Sequence, residues 1–128
     1  MSNDDLWGDL PEVEKIRTPL DILYDQADVI SKKTNNLIEG RVAVRDGKSY
    51  LVDASLVLLS NILGYSATIV RITHNVEMYP VTVLDRLSNV NYAAENENDF
   101  KEILKEIFNS DSVRKILIAL LTQIKSRE

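Results

Sequence analysis

The spacing of apolar residues along the chain changes twice, and each change marks a different kind of secondary structure. Between positions 18 and 36 apolar residues recur every three or four positions, as on one face of a helix. Between positions 41 and 84 they alternate with polar residues or form short runs rich in Val, Ile and Thr, as in strands. From position 100 to 124 the helical spacing returns. The pattern predicts an α+β domain: an antiparallel sheet with one N-terminal helix and two C-terminal helices.

The three predicted helices carry recognisable start and stop signals. Thr18-Pro19 combines a preferred N-cap with a residue favoured at the first helical position, and Asp21 occupies the acidic position of a capping box. Asn35-Asn36 ends this helix, because asparagine tolerates the left-handed conformation. The two C-terminal helices have apolar stripes from Phe100 to Phe108 and from Val113 to Ile124. Because the break between them is short, we expect them to be neighbours.

The first two strands are predicted to form a hairpin. Val42 and Val44 alternate with arginines and lead into Asp46-Gly47, among the strongest short hairpin signals because a tight primed turn needs positive φ angles. A two-residue loop at this point would pair Val44 with Ser49 and Val42 with Leu51.

About four strands are expected in total, so the element order is α-β-β-β-β-α-α. After the first strand, the others are predicted at 50–59, with a bend near 53–55, at 65–73 and at 78–84. Pro80 has no N–H group to donate, so the last strand is either an edge strand or begins near this proline.

Composition limits the class of protein. The 128 residues fit one domain, which we divide into an acidic N-terminal arm, residues 1–17, and a single α+β domain, residues 18–128. The absence of cysteine excludes disulfides, thiolate nucleophiles and cysteine-ligated zinc. The chain opens on acidic residues, and its apolar runs fall far short of the ~20 residues that cross a bilayer. We therefore expect a cytoplasmic protein that does not enter membranes.

The net charge of −5 disfavours nucleic-acid binding, because that binding depends on phosphate neutralisation. The acidic balance fits a basic protein partner better.

No pattern of residues predicts catalysis, a metal site or a cofactor. The only histidine, His74, ends a predicted strand beside Asn75. A turn residue is a simpler interpretation of this histidine than a general base. The acidic clusters at 4–9 and 95–99 lack the spacing of a calcium loop, and no glycine-rich phosphate loop is present. Catalytic, metal and cofactor residues are therefore predicted to be absent.

Asp53 interrupts an otherwise apolar strand and has two interpretations. If it faces the core it needs a partner such as Arg71 or Arg86, and otherwise strand alternation points it to solvent.

Two ends of the chain are the candidate interfaces. In the arm, Leu6, Trp7 and Leu10 lie among aspartates, as in a docking peptide whose apolar side chains anchor it and whose acids steer it towards a basic groove. The same side chains would alternatively pack on the protein's own domain or across a dimer. In the last helix, Ile118 lies off the main apolar stripe and widens the apolar surface.

Two classes of function follow. The favoured one is a small non-enzymatic protein-interaction module, regulatory, accessory or of the immunity or antitoxin kind, with a protein partner or self-association. The alternative is a small-ligand-binding domain or enzyme whose pocket lies between sheet and helices and is lined by Tyr65, Arg71, His74 and Tyr79. The spacing T-P-x-x-I-L-x-x-Q-A at 18–27 and the Tyr79-Pro80-Val81 run resemble small bacterial proteins, which implies nothing about mechanism.

Overall fold

The chain folds into three helices and one five-stranded sheet. The computed structural model describes residues 4–13, 17–46 and 49–127. The elements are α1 (Pro19–Lys33), β1 (Glu39–Val44), β2 (Val52–Ser60), β3 (Tyr65–His74), β4 (Val81–Asp85), β5 (Val90–Ala94), α2 (Glu97–Phe108) and α3 (Asp111–Lys125). The predicted α+β class, with one helix before the sheet and two after it, is confirmed.

Local hydrogen bonds explain why α1 begins and ends where predicted. The Thr18 hydroxyl accepts the backbone N–H of Asp21 at 3.0 Å, and the Asp21 carboxylate accepts the backbone N–H of Thr18 at 3.3 Å. This is the complete capping box. Just beyond the helix, Asn35 and Asn36 have φ angles of 52° and 64°, so the chain turns in the left-handed region as expected.

The sheet has one strand more than predicted. Its order is β1-β2-β3-β4-β5, and each strand is antiparallel to the next. The additional strand is β5, which is five residues long and buries only Ala94 fully. Its exposed residues made the segment resemble a polar loop, because so short an edge strand carries little alternation to detect.

The predicted register between the first two strands is wrong. Val42 lies opposite Leu56 instead of Leu51, and Val44 lies opposite Ala54 instead of Ser49. Backbone pairing continues to Arg45, whose N–H donates to the carbonyl of Asp53 at 2.8 Å. The two strands are therefore joined by a longer connection than the two-residue loop. Gly47 of the predicted turn lies outside the described residues.

Two other strand details also differ. The irregularity in β2 is a register shift between Leu56 and Val57, beyond the bend predicted at 53–55. β4 begins at Val81, directly after Pro80, and lies between β3 and β5. Of the two interpretations of Pro80, the one in which it precedes the strand is the correct one.

All three helices pack on the same face of the sheet. Alternate residues of the central strands point to that face and are buried, among them Ala54, Leu56, Ile72 and Val83. They form one core with the apolar stripes of the helices, including Leu23, Phe100, Leu104 and Ile124. The other face of the sheet carries Asp53, Arg71, Thr82 and Asn91 and has no helix over it.

Candidate functional site

The described part of the N-terminal arm, residues 4–13, exposes its large apolar side chains. Residues 4–13 form neither helix nor strand. Leu6 is 91 % exposed, Trp7 85 %, Leu10 76 % and Val13 95 %. Tryptophan is among the most buried residue types in folded proteins, so an exposed tryptophan beside exposed leucines indicates a contact surface.

Local structure and charge shape this segment. The Asp5 carboxylate accepts the backbone N–H of Trp7 at 2.9 Å, and Gly8 follows with a φ angle of 64°, which glycine adopts without strain. Between positions 4 and 13 the sequence has four acidic residues and no basic one. From here on, the name acidic arm refers to residues 4–13, the described part of the N-terminal segment 1–17.

A hollow of about 270 Å³ opens between α1 and α3 above the sheet. Its floor is formed by Leu56, Leu58 and Ile69. Its walls include Ile30 of α1 and Leu117 of α3, both partly buried. The three floor side chains are at most 3 % exposed, so the apolar surface accessible in this hollow belongs mainly to its walls.

A second hollow, of about 460 Å³, lies further towards the start of α1 and is lined by Ile22, Leu104 and Phe108. The two hollows share Gln26, Phe108 and Asn109. They are therefore adjacent, between α1 on one side and α2 with α3 on the other. We call the two hollows together the helix groove.

The rim of the helix groove is basic. Among the described residues, five basic side chains and one acidic side chain, Asp25, line it; the basic ones are Arg17, Lys33, Lys101, Lys105 and Arg114. This is the opposite of the chain as a whole, whose net charge is −5.

The charges on the rim are only partly neutralised. Arg17 pairs with Asp25, and Lys101 pairs with Glu97 at 2.9 Å. Arg114 donates to the neutral amide oxygen of Asn109 at 2.6 Å. Within the described ranges, Lys33, Lys105 and Arg114 form no ion pair. The groove therefore combines an apolar floor with positive charge that has no acidic partner there.

Ile118 lies beside this groove. It follows Arg114 by four residues on α3, which places both on the same side of the helix. Its side chain is 65 % exposed. The predicted broad apolar surface of the last helix is thus adjacent to the basic rim.

The helix-free face of the sheet contains a charged pair at its centre. The Arg71 guanidinium donates two hydrogen bonds to the two carboxylate oxygens of Asp53, at 2.9 and 2.7 Å. The side chain of Asp53 is only 7 % exposed and that of Arg71 is 31 % exposed. The hydrogen bonds from Arg71 lower the pKa of the Asp53 carboxyl, against the opposing effect of burial. Beside the pair is a shallow hollow of about 140 Å³, bordered by Tyr50, Thr73 and Asn91.

The four predicted pocket residues do not share one site. Tyr65 lines a hollow against α3, whereas Arg71 lies on the opposite face of the sheet. His74 and Tyr79 are packed at the end of the core; the Nδ1 atom of His74 lies 2.7 Å from the carbonyl oxygen of Asn75. Within the described residues, His74 Nε2 and the Tyr79 hydroxyl are buried without a hydrogen-bond partner. Tyr65 and Arg71 are six residues apart and would share a face in a regular strand. The register shift opposite Leu56 and Val57 leaves Ile69 as an extra residue in β3, so the two side chains point to opposite faces of the sheet.

Two structural features are absent from residues 4–13, 17–46 and 49–127. No group of three or more histidine, aspartate or glutamate side chains is arranged to hold a metal ion in these ranges. None of the helices there has the length and apolar character needed to cross a membrane.

Comparison of the chain with protein families, curated proteins and solved structures gave no match. The acidic arm and the helix groove are the features of the molecule that indicate a function.

Proposed function

We propose that this chain is a small, cytosolic, non-enzymatic protein-interaction module that uses its acidic arm to dock onto a basic, apolar surface of a protein partner. The observation that carries the proposal is the exposure of Leu6, Trp7, Leu10 and Val13 between acidic residues. Regulatory, accessory and immunity or antitoxin proteins are the forms that such a module takes.

Burial of the exposed apolar side chains of the arm, which we call its anchors, would supply the affinity. Transfer of a leucine-sized side chain from water into an apolar site is worth about 1.5–3 kcal/mol, and tryptophan is one of the residues that most often dominate protein interfaces. The neighbouring aspartates would contribute mainly to orientation and to the rate of encounter with a basic surface. Anchors and charges thus have separate roles in the same short segment.

The alternative function, a small-ligand site or enzyme between sheet and helices, has less support. The helix groove lies in that position and is lined by apolar and basic residues. Among the described residues, no histidine lines either of its two hollows. The one carboxylate there, Asp25, is paired with Arg17. Such a lining fits the binding of an apolar, anionic segment better than acid–base chemistry.

Affinity capture tests the proposed function. Tagged wild-type protein and a Trp7→Ala/Leu10→Ala variant are each incubated with native extract that contains an untagged copy of the chain. We expect the wild type to retain a protein in stoichiometric amount, either another protein or the untagged copy, and the variant to lose it. Because both side chains are exposed, the stability of the variant should change by less than about 0.5 kcal/mol.

The control removes two exposed apolar side chains elsewhere. A Leu51→Ala/Val76→Ala variant alters two exposed side chains outside the arm and the groove. It should keep the partner. Retention of the partner by the arm variant, or unfolding of that variant, would contradict the proposed function.

A further inference from the structure

We infer that the helix groove binds the acidic arm of a second copy of this chain, so that two copies exchange arms. The inference rests on the proposed function of the arm as a docking segment and names the partner onto which it docks. It is supported by charge, by length and by the apolar surfaces of the two segments.

Charge is the first support. The arm has four acidic residues and no basic one between positions 4 and 13, whereas the groove is lined by five basic residues and one acidic one. Lys33, Lys105 and Arg114 form no ion pair within the described part of the chain. An incoming arm would therefore find basic groups that have no competing carboxylate.

Length is the second support. The groove follows α1 from Ile22 to Lys33, which corresponds to about 17 Å at 1.5 Å per helical residue, and Arg17 extends it beyond the start of the helix. The apolar side chains of the arm extend from Leu6 to Val13, which corresponds to at most about 23 Å at 3.3 Å per extended residue. An extended arm can thus place its anchors over both hollows of the groove.

Apolar surface is the third support. The floor side chains Leu56, Leu58 and Ile69 are at most 3 % exposed, so the accessible apolar surface of the groove is its wall. The wall includes Val29, which is 39 % exposed, and the partly buried Leu117, and the exposed Ile118 lies next to it on α3. The arm carries leucine, tryptophan and valine side chains that are at least 76 % exposed. Docking would remove the apolar side chains of the arm and of the groove wall from water, which is the main favourable term in such associations.

Within one copy the apolar side chains of the arm are not buried in the groove of the same chain, so a second copy is the favoured partner. The acidic arm precedes α1 closely, and Arg17 lies at the near end of the groove, yet the apolar side chains of the arm remain exposed. If two copies related by a two-fold axis exchange their arms, each groove is filled by the arm of the other copy. This exchange leaves no unpaired groove to recruit a third chain, as expected of a closed dimer.

Charge reversal of the full-length chain tests the inference. An arm variant carries Asp4→Lys, Asp5→Lys and Asp9→Lys, and a groove variant carries Lys33→Glu, Lys105→Glu and Arg114→Glu. All six side chains are exposed, so both variants should fold, which far-ultraviolet circular dichroism and thermal unfolding would verify. Mass in solution is measured by sedimentation equilibrium at low salt.

The expected result is a dimeric wild type and two monomeric variants. An equimolar mixture of the variants should form a heterodimer, because each arm then meets a groove of opposite charge. A chain with all six substitutions should form a homodimer again. A control with Arg86→Glu, Lys115→Glu and Lys125→Glu has the same net charge as the groove variant, but none of these residues lines the groove, so it should remain dimeric.

Three results would overturn the inference: a monomeric wild type at its highest soluble concentration, a dimeric arm variant, or a mixture that stays monomeric. The proposed function is judged separately. If the wild type is monomeric but still captures another protein through Trp7 and Leu10, the docking role stands and only the identity of the partner is wrong.

Discussion

At the scale of single residues, the pair of Asp53 and Arg71 shows how a charge is kept within a strand that is otherwise mostly apolar. Two hydrogen bonds from one guanidinium satisfy both carboxylate oxygens, a geometry that arginine supplies and lysine cannot. Each of the two interpretations of Asp53 is partly correct. The residue points away from the helices, as alternation requires, and it is nevertheless buried against Arg71.

Substitution of Asp53 by asparagine should therefore destabilise the protein in a pH-dependent way. At neutral pH we expect a loss of about 1–3 kcal/mol, less than for a fully buried pair because Arg71 is 31 % exposed. Since the folded-state pKa of Asp53 is lowered, its contribution is present above the ordinary aspartate pKa and is lost as the pH falls through the folded value. The difference between wild type and variant should then vanish. Urea unfolding at several pH values measures it.

Asp28→Asn provides the control for this prediction. Asp28 pairs with Lys32 one turn later on α1, but both side chains are mostly exposed. Its substitution should change stability little at any pH. Equal effects of the two substitutions would contradict the role assigned to the Asp53–Arg71 pair.

At the scale of elements, the close approach of α1 to β1 depends on Gly40. A Cβ atom at this position would lie 2.3 Å from the carbonyl oxygen of Ala27 and 2.7 Å from its Cα atom. The backbone N–H of Gly40 donates to the Ser31 hydroxyl at 2.9 Å, which ties the strand to the helix. Since α1 forms one wall of the helix groove, this contact also sets the position of that wall.

Gly40→Ala should consequently destabilise the fold. The added methyl group meets backbone atoms that cannot rotate away, so helix and strand must separate, at a cost of about 1–3 kcal/mol. Thermal and urea unfolding measure the change. Ala43→Val is the matched control, because it adds bulk to an exposed position on the other face of the same strand and should be tolerated. An unchanged midpoint for Gly40→Ala would show that α1 does not pack as closely as described.

At the scale of the whole molecule, charge is segregated. A chain with a net charge of −5 holds five basic residues along one groove and four acidic residues in the arm. Such a distribution predicts self-association driven partly by electrostatic attraction and partly by apolar burial.

The dimer proposed above should accordingly weaken as salt is added. The Debye length falls from about 10 Å at 0.1 M to about 3 Å at 1 M ionic strength, so attraction between arm and rim is screened. We expect the dissociation constant, measured by sedimentation equilibrium, to rise by at least several-fold over this range. An association that is unchanged or strengthened by salt would indicate purely apolar contact and would contradict the role of the basic rim.

Local signals in the sequence were sufficient to determine the helices and the class of fold. The capping box of Thr18 and Asp21 acts within one helical turn, and each apolar stripe repeats with the period of its own element. For the same reason the acidic character of the arm was readable in advance, whereas the sequence left open whether its apolar side chains are exposed or pack on the protein's own domain. Such features need no knowledge of distant residues.

The register of the first hairpin, the fifth strand and the helix groove were decided only by tertiary structure. Val42 pairs with Leu56 because the whole sheet sets the register. β5 is a strand because its backbone pairs with β4. The groove combines α1, the end of α2, the start of α3 and a floor at 56, 58 and 69. Its basic residues are far apart in the sequence and became neighbours only when the helices packed on one face. The sequence therefore determined the acidic arm, and the fold alone created the basic groove that complements it.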